Sequence, residues 1–290
     1  MDEEVDEEVG GKGGAHRMTP ARGRSSQTRH WSLEVRRLLC RWQFGAALLL
    51  GWGALDFGMW QYTRTVHIGA AGASANGALF IALRLWLLVV PAVSVLATAD
   101  ITAADRASGM LRYLLLRTSR TQYVIHKGAA AAVVGGGTVF LCIVLAGVVA
   151  MVHFPVLGVP LRSSFSARYD HFFPQFLYGA FPAFVALAGL YSACFGVCVG
   201  MATVGLGLLS RSAVVVTGIV WAAYMVTSLG IILSSTPALQ RWAPATDVGV
   251  STYAPSVQGP VWLTPLGWLG LAAIFWGLAW IRLYRRDVVD

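Results

Sequence analysis

Six stretches of this chain are apolar for long enough to cross a hydrocarbon core, and no other feature limits its fold so strongly. They run from Phe44 to Trp60, Ala78 to Ala99, Gly128 to Phe154, Phe176 to Leu209, Ala213 to Leu233 and Pro265 to Tyr284. A core about 30 Å thick takes about 20 residues of helix. Backbone amides in lipid must find partners within their own segment, so each stretch predicts a helix. The expected fold is therefore all-α: a polytopic membrane protein with six transmembrane helices. With 12% charged residues and a mean hydropathy of +0.62, a soluble globule is excluded. The fourth stretch is too long for a perpendicular crossing, and Pro182 near its start predicts a tilted span or a broken outer piece.

The polar remainder organises around these spans. Residues 1–30 begin with six acids, Asp2, Glu3, Glu4, Asp6, Glu7 and Glu8, then turn to Gly, Ser, Thr and Arg; they are expected to be a disordered tail. No cleavable signal peptide is expected there, and Met18 is a second candidate start. Residues 31–290 form the six-span body. Trp31, Val35, Leu38, Leu39 and Trp42 recur at helical spacing with Glu34, Arg36, Arg37 and Arg41 on other faces, which predicts a basic interfacial helix leading into the first span.

Orientation follows from the basic residues. With the N-terminus inside, seventeen Lys and Arg fall on the inner side against four outside, Arg64, Arg162, Arg168 and Arg241, so both termini are expected in the cytoplasm. The net charge of +8 then suits anionic lipid headgroups and not nucleic acid. The long outer connections, Pro155 to Gln175 and Ser234 to Thr264, are rich in Pro and read as ordered loops without a folded ectodomain.

Chemistry is sparse. There is no phosphate-binding GxxxxGK[ST], no HExxH, GxSxG or CxxC, and the acids Asp100 and Asp105 lack the spacing of membrane prenyltransferases. The chain is not expected to hydrolyse ATP or to be an enzyme. Cys40, Cys142, Cys194 and Cys198 lie in or beside apolar segments and read as packing residues, with neither a disulfide framework nor a metal site expected. His67, His153 and His171 come from different parts of the chain and give no metal-binding pattern.

The inner connection over residues 100–127 carries most of the functional information. Asp105 and Arg106 precede Gly109; Leu111, Leu114 and Leu115 then form an apolar stripe edged by Arg112 and Arg117, which predicts a short amphipathic helix at the membrane surface. Ser119 followed by Gln122 reads as a capping box, so a new helix should start near Arg120 and run on as the third span. Such a knob suits either a membrane-hugging loop or docking into a groove of a soluble partner, with Asp105 and Arg106 pairing with the partner's charges and the leucines filling its pocket.

Here the chain resembles the type-two membrane permeases of ATP-binding-cassette (ABC) transporters, mostly exporters. The likeness rests on Asp105, Arg106, Gly109, Leu111 to Leu116, Ser119, Arg120, Lys127 and Gly128. It extends to Glu34 and Arg36 in the interfacial helix, to Ser210 and Arg211 in a tight turn, and to Arg285, Arg286 and Asp287. It departs in having Asp105 where Glu is commoner, Thr118 in place of a Pro, and Lys before Gly. The resemblance implies a dimer of permease subunits, homomeric or heteromeric, in the cell membrane, with two separately encoded ATPase subunits that carry the ATP and Mg and grip the knobs. An integral membrane enzyme acting on lipid or prenyl substrates, and a membrane scaffold, are the competing expectations.

Within the spans, Asp56 and Arg84 are expected at similar depth near the outer ends of the first two. They either form an intramembrane ion pair or reach separately to the headgroups, with a substrate contact as a third reading. Ala188, Ser192, Gly196 and Gly200 fall at intervals of four and form a small-residue groove, for helix packing within the subunit or across a subunit interface. Gly135 to Gly137 mark a flexible or tightly packed point. Trp52, Trp60, Trp86, Trp221, Trp262, Trp268, Trp276 and Trp280 are expected mostly as interface anchors.

Overall fold

A computed structural model of the protein describes residues 32–65, 74–161, 181–210, 212–233 and 263–285, with backbone alone at residues 80, 84, 228–233 and 263–264. The N-terminal tail, most of both long outer connections, His67, His171, Arg211 and Trp262 lie outside the described residues. Among the described residues the only regular elements are helices joined by short turns, and there is no strand.

The helices are α1 (Ser32–Leu39), α2 (Trp42–Thr65), α3 (Ala75–Thr98), α4 (Asp100–Ala107), α5 (Met110–Arg117), α6 (Arg120–Val156), α7 (Phe181–Gly207), α8 (Ala213–Leu233) and α9 (Leu263–Arg285). Three are long and apolar enough to cross a membrane: α6, α7 and the Pro265–Arg285 part of α9. The number rises to five if two bent pairs each count as one span. These are α1 with α2, meeting at 64°, and the two halves of α3, Ala75–Leu83 and Leu85–Thr98, meeting at 60°. Ala213–Thr227 of α8 is a shorter apolar helix.

Local sequence explains most boundaries. Ser119 accepts a hydrogen bond from the Gln122 amide at 3.2 Å and starts α6 at Arg120, as its cap predicts. Ser74 caps α3 in the same way through Gly77. Pro182 sits in the first turn of α7, where its missing amide hydrogen costs nothing. Between α4 and α5 the chain turns at Gly109, whose φ of 72° lies in the left-handed region. No neighbouring atom crowds that position, so replacing it with Ala probes the backbone alone. Gly109→Ala should cost about 1 kcal/mol, read as a lowered melting temperature in detergent.

α3 is the central helix. Leu79, Leu83, Trp86, Val90 and Val93 along it are fully buried, and it packs on α2, α6, α7 and α8. Trp86 is thus a core residue and not an interface anchor. On the α2 side, Gly58 lets α2 approach closely, since a Cβ there would come within 2.5 Å of the Ala82 Cα. The outward faces stay apolar: Leu141, Leu145, Val148 and Val152 form an exposed row on α6, and α9 exposes Leu266, Ile274 and Leu278. Apolar surface this continuous on long helices belongs to a protein that spans a membrane.

The most extensive contact joins α6 to α7, where two glycine-rich faces meet. Gly135 and Gly196 each press against the other's carbonyl oxygen, 2.7 Å from where a Cβ would stand, and Gly200 lies on the Ala131 backbone. Ser94 of α3 donates to the Gly196 carbonyl at 3.1 Å. Ala188, Ser192, Gly196 and Gly200 are all buried, so in the described structure this groove packs within the subunit.

Candidate functional site

α4 and α5 form a knob at one end of the helical body, next to the start of α6 and the ends of α7 and α9. α4 is fixed to the end of α7 by two groups: Thr102 donates to the Val204 carbonyl at 3.2 Å, and the Arg106 guanidinium donates to the Leu208 carbonyl. Gly207 has no side chain where Thr102 passes, and a Cβ there would collide with it. At the end of α9, Arg120 donates to the Leu283 carbonyl at 3.2 Å. Carbonyls at helix C-termini lack intrahelical partners and carry partial negative charge, so arginines are well placed there.

Beside this anchor lies a charge cluster that joins three helices distant in sequence. The Asp105 carboxylate is completely buried. Its Oδ1 accepts from Arg37 of α1 at 3.1 Å, and its Oδ2 accepts from Lys127 of α6 at 2.7 Å and from the Tyr123 hydroxyl at 3.2 Å. Lys127 reaches on to Glu34 of α1 at 2.8 Å, and Glu34 lies 3.8 Å from Arg37. Two carboxylates thus face two cations, so the cluster, buried at Asp105 and Lys127 and open to solvent at Arg37, is neutral as a whole, which is the condition for keeping the inner pair out of water. A second contact repeats the pattern near the surface: Asp100 accepts from Arg41 at 2.9 Å and from Gln43 at 2.8 Å.

α6 has 37 residues and a length of about 55 Å, well beyond a core of about 30 Å, so its first turns project past the apolar stretch that begins at Gly128. Tyr123 lies in that projection. Burial first, and then the neighbouring Asp105 carboxylate, push its phenol well above the usual tyrosine range, which keeps it a hydrogen-bond donor.

α5 turns two apolar faces in different directions. Leu111 is buried, while Leu114 and Leu115 are half-buried against the core; Met110, Tyr113 and Leu116 are exposed beside Arg112 and Arg117. The stripe expected to fill a partner's pocket, Leu111, Leu114 and Leu115, therefore holds the helix down, and a different set faces outward. Asp105 is likewise turned inward to Arg37, Lys127 and Tyr123 and is not presented to a partner's charges, and Arg106 holds a backbone carbonyl of α7. The hydrophobic run Leu114 to Leu116 wraps both sides of the helix, so sequence alone does not separate inner from outer leucines.

Glu34, Arg37 and Lys127 enter the cluster without having been paired with Asp105 by sequence reasoning. A signal was available in Lys127, a lone lysine at the entrance to a long apolar helix, where a charge needs a partner. Asp56 of α2 is half-buried, but the Arg84 side chain lies outside the described residues, so their pairing does too. Among the described residues no group of three or more His, Cys, Asp or Glu side chains is arranged to hold a metal ion, and all four cysteines are free thiols.

No protein-family model matches this chain, and no curated protein matches it.

Proposed function

We propose that this chain is the membrane-spanning permease subunit of an ABC exporter, which forms the path across the membrane and takes its energy from a separate ATPase seated on α5. The observation that carries the reading is the outer face of α5: Met110, Tyr113 and Leu116 stand exposed between two arginines on a helix fastened to the body through α4 and α6. Exposed apolar side chains on a rigid, basic-edged element are the ordinary form of a docking surface for a soluble partner's groove. The absence of a phosphate-binding loop in the sequence makes that partner the source of energy.

In this reading α2, α3, α6, α7, α8 and α9 are six crossings of the cell membrane, both termini are cytoplasmic in keeping with the distribution of Lys and Arg, and α1 lies along the inner surface. The assembly has two permease subunits and two ATPase subunits, the latter binding ATP and Mg. Asp105 and Arg106 set the position of the coupling helix, and Tyr113 and Leu116 make the contact. Closure of the ATPases on ATP presses on α5 and tilts α6 within the body.

The test is co-purification of the tagged full-length chain with a soluble ATPase carrying a phosphate-binding loop. Replacing Tyr113 and Leu116 together by Asp should lower the recovered ATPase by about tenfold or more, as for central contact residues. Arg36→Gln, at an exposed position on α1, should leave it unchanged. Activity of the purified chain alone, or labelling of a cysteine at position 116 from the extracellular side, overturns the proposal.

A further inference from the structure

The side of the body formed by α7, α8 and α9 contains a groove of about 620 Å³, within the range of small-molecule sites. α8 and α9 each rest on α7 and have little contact with one another among the described residues, so the space between them stays open. Along α9 the groove runs from Trp268 to Arg282, a distance of about 21 Å at the rise of a helix. Phe195 closes one end, packed edge-on against Trp268 at 5.0 Å and against Tyr224 at 5.5 Å. Arg282 stands at the other, beside the knob.

The hydroxyls of the lining are already satisfied, whereas the Trp268 Nε1 beside Phe195 is buried without a hydrogen-bond partner. The Tyr224 hydroxyl donates to the Leu87 carbonyl at 2.7 Å, and the Thr227 hydroxyl donates to the Ala223 carbonyl at 2.7 Å. Water would find few partners there. Arg282 differs: it is half-buried and has no hydrogen bond or ion pair among the described residues. A guanidinium at the end of an apolar groove calls for an anion with an apolar tail.

The dimensions select among occupants. A volume of 620 Å³ spread over about 21 Å gives a long, narrow groove with a mean cross-section of about 30 Å². A single hydrocarbon chain lies along such a groove, and Arg282 at its end supplies the charge complementary to an anionic headgroup. The length exceeds half of a hydrocarbon core about 30 Å thick, which is the reach of one leaflet. We propose that this groove holds one acyl chain of an anionic phospholipid, with the headgroup phosphate on Arg282. The site is independent of how α5 is used and needs no ATPase.

The experiment uses the purified full-length chain in detergent micelles, with phosphatidylglycerol or phosphatidylcholine carrying a photoactivatable group in the acyl chain. Labelled positions are mapped by mass spectrometry of peptides. Phosphatidylglycerol should label α7 and α9 about fivefold more than phosphatidylcholine, the contribution of one basic residue at a membrane surface. Arg282→Gln should remove that preference and Arg282→Lys should retain it. Gly205→Leu places a side chain in the groove, where a Cβ would stand 3.7 Å from the nearest atom, and should lower labelling by both lipids. Unchanged melting of Arg282→Gln shows that its effect is on the lipid. Equal labelling by the two lipids, a preference that survives Arg282→Gln, or label spread evenly over the outer row of α6 overturns the proposal.

Discussion

Asp105→Asn is expected to lower the stability of the protein by about 3 kcal/mol, read from thermal or denaturant unfolding in detergent. The substitution removes the anion that Lys127 and Arg37 share and leaves a lysine that is only 3% exposed with Glu34 as its remaining counter-charge. Truncating one member of a buried pair is costly because the other charge stays buried, whereas replacing both is often tolerated. The double variant Asp105→Asn/Lys127→Met should therefore recover part of the loss, and the double-mutant cycle should give a coupling of about 1 kcal/mol or more. Salt supplies an independent check: raising it to about 1 M should weaken the partly exposed Arg41 to Asp100 pair while leaving the buried Lys127 to Asp105 contact largely intact. Single variants that melt with the wild type would show that the cluster contributes nothing to holding α1, α4 and α6 together.

Gly200→Leu is expected to have an effect at least as large. The Ala131 backbone occupies the space a side chain would need, and α6 cannot yield without lifting away from α7 along a shared glycine face. Overpacking in a core costs 1–3 kcal/mol and occasionally more; with backbone in the way, about 3 kcal/mol is the expected loss. Gly137→Leu and Gly218→Leu are the controls, since neither position has a neighbouring atom within 4 Å, and each should stay within about 0.5 kcal/mol of the wild type. The loss for Gly200→Leu should appear in the isolated subunit. If only subunit association suffers while the monomer melts normally, the small-residue face works between copies and not within one.

The helices were largely legible in the sequence because their determinants are local. The pair Ser119 and Gln122 marked the start of α6, whereas Pro182, read in the sequence as the sign of a tilted or broken fourth span, sits in the first turn of α7. Hydropathy placed the third span at Gly128 to Phe154, while α6 runs from Arg120 to Val156, because a helix continues past the apolar stretch wherever its polar turns find partners. The cluster was not legible for the opposite reason. Arg37 and Asp105 are 68 residues apart and Glu34 and Lys127 are 93 apart, and helical periodicity says which residues share a face but not what that face meets. The same limit hid the burial of Trp86 and the inward turn of Leu111, whose surroundings come from α3 and the knob as they pack and not from their sequence neighbours.

The length of α6 has a mechanical consequence. It is a stiff rod of about 55 Å, so a rotation of about 5° about one end sweeps the other by about 5 Å. At that far end the chain reverses at Gly158, with a φ of 72°, and the Pro160 carbonyl accepts from the Ala75 amide at 3.1 Å, at the first residue of α3. The far end of α6 is thus tied by a backbone hydrogen bond to the first residue of α3, the helix at the centre of the body.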